Sequence, residues 1–206
     1  MIIVNFSTKE YSRGQQRLQA SLNGYKTLML NDYVSIGSPT HQESPYEFKV
    51  HAIEKAACFD PVVLWMDSSM YVRGDLSKIE KIILKDGYFM EEAGHYVNDW
   101  CNDHCRKMLN YNSQGDEYKY LMFSAGLLGL DMNDATARLW FEQWKEAAKL
   151  GCFKGDWRNH RHDMTAGSIL AERLNMTYQR GGSHLSYVGP GYSKPEPTSV
   201  VYCQGI

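Results

Sequence analysis

No apolar run in this 206-residue chain approaches the length needed to cross a bilayer. The opening Met1-Ile-Ile-Val-Asn-Phe6 is too short for the apolar segment of a secretory leader. Charge of one sign is also missing. The 22 Lys and Arg nearly balance the 24 Asp and Glu, so no global field attracts a polyanion and nucleic acid is not an indicated partner. Cysteine is sparse and irregular: Cys58, Cys101, Cys105, Cys152 and Cys203 are an odd number at unmatched spacings, which argues against a secreted disulfide framework. Neither G-x-G-x-x-G nor G-x-x-x-x-G-K-[ST] occurs, which leaves a Rossmann dinucleotide site and a P-loop without support. Internal repeats and low-complexity tracts are absent. The expectation is a protein without a membrane span, in a reducing, cytoplasmic setting.

What is present is an alternation. With 43% hydrophobic positions the chain can bury one substantial core, and a single domain over 1–206 is expected. Residues 2–6 read as a strand. Ser12-Arg-Gly-Gln15 then has the form of a capping box, opening a helix that stops before Gly24. Residues 27–30 read as a second strand. Ser44-Pro-Tyr-Glu47 repeats the helix-start pattern more strongly, with Pro at the first helical position, and predicts a helix to about Phe59. A third strand ends at Asp67, and a helix over 76–85 is closed by Gly87. Three strands alternating with three helices predict an α/β, mostly parallel sheet flanked by helices.

The second half predicts a helix over 97–109 with Val97, Trp100, His104 and Met108 on one face, a loop over 111–118, and a single strand over 121–130. Asn133 should cap a helix to Leu150 with Trp140 and Trp144 inward, and another helix covers 164–175. From Gly181 the chain is rich in Gly, Pro, Ser and Tyr and reads as an irregular tail, a candidate lid. The expected division is a nucleotide-binding half over 1–110, an acceptor half over 111–180, and this tail over 181–206.

Chemistry concentrates where strands end. Pro61-Val-Val-Leu-Trp-Met-Asp-Ser-Ser69 is a buried-looking strand whose carboxyl end presents the acid of Asp67, the position where open α/β sheets bind ligands. The plain alternative is an Asp starting a turn. Phe6, Ser7 and Thr8 end the first strand in the same way, with Arg13 just beyond. In His160-Arg-His-Asp163 the acid is placed to cap the following helix, or to serve as a general base or sugar-hydroxyl acceptor. A metal phosphohydrolase of the His-Asp type would need further His ligands on a helical bundle, which this pattern does not supply. Cys101-Asn-Asp-His-Cys105 lacks the second ligand pair of a zinc site, and packing of Cys101 and Cys105 as small hydrophobes is the better reading. His184 lies in a glycine-flanked loop, either solvated or a late ligand.

Taken in order, these pieces resemble the nucleotide-diphospho-sugar transferases of the GT-A fold, particularly small bacterial and viral members. The matching segments are Ile2–Ser7, the helix around Tyr46–Ile53, Val63–Ser69 in the DxD position, Phe123–Leu130, the helix with Trp140 and Trp144, and Arg161–Thr165. The resemblance covers roughly residues 1–175 and implies a glycosyltransferase that moves a sugar from a nucleotide-diphosphate donor, a UDP-sugar foremost, to an acceptor hydroxyl. It makes Asp67 the acid facing a divalent cation, Mn²⁺ or Mg²⁺, with Ser69 where the second acid belongs and His184 as a late ligand. Phe6, Ser7 and Thr8 would line the nucleoside, with Lys49 and Arg13 reaching the diphosphate. Ser124, Ala125 and Gly126 would lie under the donor sugar or acceptor, and Asp163 would be the base if the reaction inverts. Ser in place of the second acid removes a charged ligand and puts the metal in question. An inactive nucleotide-sugar or glycan binder and a sugar nucleotidyltransferase are the alternatives; the latter usually has a Gly-rich signature, which Asn5–Glu10 lacks.

Overall fold

The computed structural model describes residues 1–111, 120–192 and 194–204. Strand β1 (Ile2–Phe6) is buried along its whole length, between β2 (Lys26–Leu30) and β3 (Val62–Met66) and parallel to both. Helices pack on both faces of the sheet, which explains why β1 and β3 read as largely apolar runs. Helix α1 (Ser12–Ser21) links β1 to β2, and α2 (Phe48–Ala57) links β2 to β3. After β3 come the short β4 (Met70–Val72), α3 (Ser77–Asp86), β5 (Tyr88–Phe89), β6 (Glu92–Tyr96) and α4 (Asp103–Met108). Then follow β7 (Leu121–Phe123), β8 (Leu127–Asp131), α5 (Ala135–Lys149) and α6 (His162–Arg173). Strands β9 (Leu185–Tyr187) and β10 (Val201–Cys203) end the described chain.

The main sheet has the order β2-β1-β3-β8-β5, with only β8 running against the rest. This is the mostly parallel α/β arrangement that the alternation predicted. Strand periodicity divides the core in two. Ile2, Val4, Phe6, Val63 and Trp65 face a cluster with α2, α5 and α6, including Ile53, Trp140, Trp144 and Ile169. Ile3, Val62, Leu64 and Met66 face the other cluster, with Leu18 of α1, Ile79 and Ile83 of α3, and Leu185 and Val201. Trp140 and Trp144 are fully buried and their indole N–H groups donate to the carbonyls of Gly167 and Asp163, locking α5 to α6.

Several boundaries differ from the sequence expectation. Helix α1 lacks the predicted box, because Ser12 already lies inside it and donates to Lys9 O. Helix α2 starts at Phe48, not near Ser44, because Tyr46 holds a left-handed φ of 62° that ends any helix running through it. The expected strand over 121–130 is two strands. Ser124-Ala-Gly126 turns between them, so β7 pairs with β6 while β8 joins the main sheet. Asp134, not Asn133, caps α5, accepting from Ala137 N–H. The helix expected over 97–109 is a 3₁₀ turn followed by α4, capped by Asn102, which leaves His104 and Met108 exposed. Cys101 and Cys105 are free thiols packed in the core. Most of the predicted loop over 111–118 lies outside the described residues.

The segment after Gly181 is more ordered than its composition suggested. β9 and β10 pair with β4 in a second sheet of order β4-β10-β9. A single buried carboxylate holds its entry loop. Glu91 accepts hydrogen bonds from the backbone N–H of Gly182, His184 and Leu185 and from Ser183 Oγ. Among the described residues no helix is long and apolar enough to cross a membrane.

Glu91→Gln would turn one of these acceptor oxygens into a donor facing N–H groups. A loss of about 1–3 kcal/mol is expected in urea unfolding, with faster amide exchange confined to residues 182–187; unchanged exchange there would refute the clamp.

Candidate active site

A cleft of about 760 Å³ opens at the carboxyl ends of β1 and β3, within the usual size of a small-molecule site. Phe6, Ser7 and Thr8 from the end of β1 and Asp67, Ser68 and Ser69 from the end of β3 line it. The opposite wall is aromatic. Phe6 lies 4.7 Å from Tyr33 and 4.9 Å from Phe48 between ring centroids, and His41 lies 4.7 Å from Tyr46. Burial pushes the His41 imidazole below its ordinary value, which favours the neutral ring. Tyr33, His41 and Tyr46 carry no motif and were missed from sequence. The one visible clue was the density of rings between residues 33 and 48.

Asn5 sets the floor. Its amide donates to Met66 O at 2.6 Å and to Ser68 Oγ at 3.2 Å, tying β1 to the turn after β3, and its carbonyl accepts from Gln15. Asp67 leaves the strand here, with Oδ1 accepting the Trp65 indole N–H at 2.8 Å. Its backbone N–H donates to Gly126 O. A Cβ at Gly126 would come within 3.0 Å of Asp67 Oδ2 and 2.7 Å of Met70 Cε, so only glycine permits this approach.

Beneath the floor lies Lys49, the second residue of α2 and 3% exposed. Its ammonium sits 2.9 Å from Asp163 Oδ2, 3.3 Å from Asp67 Oδ1 and 3.0 Å from Ala125 O. The ammonium donates to Ala125 O and forms ion pairs with both carboxylates, and the rings of Tyr46 and Trp65 lie within cation–π range. Burial alone would lower the Lys49 pKa; the two carboxylates outweigh it and hold the ammonium above its ordinary value. Burial pushes the Asp163 carboxyl up, and Lys49 pulls it part of the way back.

These contacts depart from four expectations. Lys49 does not line the cleft to reach a diphosphate, because its ammonium is directed inward at Asp163, Asp67 and Ala125 O. Asp163 is not the cap of α6: it lies inside the first turn with its side chain only 5% exposed and directed at Lys49. Arg13 is exposed and outside the cleft lining, while Arg17, one turn further along α1, donates to Ser69 O and Gln204 O. Ser124, Ala125 and Gly126 do gather at Asp67. His184 is turned away, 3.2 Å from Glu91 and edge-on to Phe89.

This donor set does not fit a resident Mn²⁺ or Mg²⁺. Among the described residues no three His, Cys, Asp or Glu side chains converge on one point. Asp67 at the end of β3 already faces an ammonium, and the Ser69 hydroxyl accepts from the Cys203 thiol at 3.3 Å.

No family model matches the sequence, and no curated protein matches it either. Solved structures do. The apo bifunctional glycosyltransferase WbbM aligns over 98% of this chain with TM-score 0.60 and 12% identity, and mouse xyloside xylosyltransferase 1 over 98% with 0.56 and 9%. The fold is that of the GT-A glycosyltransferases. A glycosyltransferase involved in glycosylation of the major capsid of PBCV-1 also aligns over 98% of this chain, with TM-score 0.60 and 14% identity. This GT-A chain spans 45% of the WbbM chain but 97% and 92% of the other two.

Lys49→Met leaves Asp163 buried without its cation and is expected to cost about 3–5 kcal/mol in urea unfolding. Lys49→Met with Asp163→Leu should recover most of that; an equal loss in both variants would mean packing, not charge, holds the site. The sign with pH follows from the raised Lys49 value. Its contribution is complete below the ordinary 10.5, is lost as pH rises through the higher native value, and is missing from the double variant.

Proposed function

We propose that this protein is a glycosyltransferase that moves a sugar from a nucleoside diphosphate sugar, foremost a UDP-sugar, to an acceptor hydroxyl. The observation that carries the reading is Asp67, set by a GT-A fold at a strand end on the floor of an aromatic-walled cleft. The rings of Phe6, Tyr33 and Phe48 suit the face of a nucleobase, and Ser7 and Thr8 suit the ribose. Lys9 lines the same cleft and supplies a cation for the diphosphate.

Transfer breaks the bond between the anomeric carbon and the β-phosphate oxygen, which keeps the electron pair, and joins that carbon to the acceptor oxygen, whose proton passes to the departing diphosphate. The sugar gains positive character between the two events, and the Asp67 carboxylate is placed to stabilise it. Lys49 fixes that carboxylate, and Asp163 fixes Lys49. Asp163 therefore acts as a positioning residue in this scheme, in place of the acceptor base expected from sequence. A second reading has one observation in its favour: with Ser69 replacing an acid and Lys49 balancing Asp67, the site would bind a nucleotide sugar without turning it over.

Thermal unfolding with UDP and a panel of nucleotide sugars, each with Mn²⁺ and with EDTA, tests both. The expected result is a stabilising shift that survives EDTA, together with turnover that falls about 100-fold or more in Asp67→Asn. A shift without hydrolysis or transfer would establish the binder. No shift with any donor would remove both readings.

A further inference from the structure

A second pocket, of about 310 Å³, lies between residues 91–94 and a set from the tail that includes Gly181, Gly182, Tyr187, Tyr192, Lys194 and Glu196. Tyr187 and Tyr192 form one wall, ring centroids 5.6 Å apart and planes 24° from parallel. They are 40% and 60% exposed, a large aromatic area to leave in water. Glu92, Glu196 and Lys194 line the same pocket. Its floor is the Gly181-Gly182 backbone, with Gly181 N–H donating to Glu92 and Gly182 N–H to the buried Glu91, so the pocket is built and not a gap between loose loops.

The pocket is joined to the cleft through Tyr187. The phenol lies 3.2 Å from Ser124 Oγ, at the head of the turn whose Gly126 touches Asp67. On the neighbouring strand, Cys203 lies opposite Tyr187 and its thiol donates to Ser69. A molecule on the tyrosine pair would therefore point one end at the Asp67 floor.

The lining selects the ligand class. Near-parallel phenols offer a flat π-face to the C–H face of a pyranose ring, and flanking carboxylates accept hydrogen bonds from its hydroxyls. Two carboxylates against one ammonium leave the pocket acidic, which disfavours a phosphorylated lipid, a nucleotide or a nucleic acid as occupant. We propose that this pocket is the acceptor site and that the acceptor is an uncharged saccharide, bound with one ring on Tyr187 and Tyr192. The inference rests on the transferase reading for the word acceptor, but the binding itself is testable alone.

Saturation-transfer NMR with methyl α- and β-pyranosides of glucose, galactose, mannose, xylose and rhamnose, with methyl glucuronide as the charged control, is the test. At least one neutral glycoside should bind, glucuronide should not, and Tyr192→Ala should weaken the neutral ligand about tenfold. Glu196→Gln, also at an exposed position, should weaken it without loss of folding. A panel with no binder, or an affinity untouched by Tyr192→Ala, overturns the site. Stabilisation by UDP and the nucleotide-sugar panel, measured on the same sample, separates the two claims: donor without glycoside binding leaves the transferase and refutes this acceptor, whereas glycoside binding with no donor bound supports the saccharide site and refutes the transferase.

Discussion

One buried ammonium organises this protein. Lys49 joins four pieces of chain that are distant in sequence: its own helix α2, Asp67 after β3, Ala125 in the turn between β7 and β8, and Asp163 in α6. A charge this deep is tolerated only when it is paired with opposite charge, so each of those pieces is held by what it contributes. The position of Asp67 is then a consequence of the core, not of a local loop preference. Trp65 and Gly126 sharpen it, one by donating to the carboxylate and the other by leaving room for it.

The tail repeats the same logic with opposite charge. Glu91 is a buried acceptor that gathers N–H groups from 182–185, and that ordering lets β9 and β10 complete a second sheet against β4. Both devices meet at Ser124, whose backbone N–H donates to Glu91 O and whose turn carries the Lys49 contact. The Ser124–Gly126 turn therefore links the Asp67 end of the cleft to Tyr187 of the tyrosine pocket.

Among the described residues no ligand set converges on Asp67, and Lys49 lies beside its carboxylate. An ammonium 3.3 Å from the carboxylate supplies locally the positive charge that a cation would otherwise bring. It is directed inward, however, so it steadies the acid and does not clamp phosphate. Lys9 is the cation that lines the cleft.

The sequence by itself determined the sheet, its flanking helices and the exit point of Asp67, because β1 and β3 are apolar on both faces and helix periodicity marks Trp140 and Trp144 as inward. It also marked Ser124–Gly126 as a close approach through its small side chains. It did not give the start of α2, where Tyr46 adopts a positive φ that local propensity disfavours, nor the division of residues 121–131 between two sheets. Only the tertiary structure turned Lys49 and Asp163 from a phosphate contact and a base into a buried pair, replaced Arg13 with Arg17, and set His184 against Glu91. The reason is common to all of these. Burial and partner choice depend on which distant residues arrive at 3 Å, and no spacing within a single helix or strand encodes that.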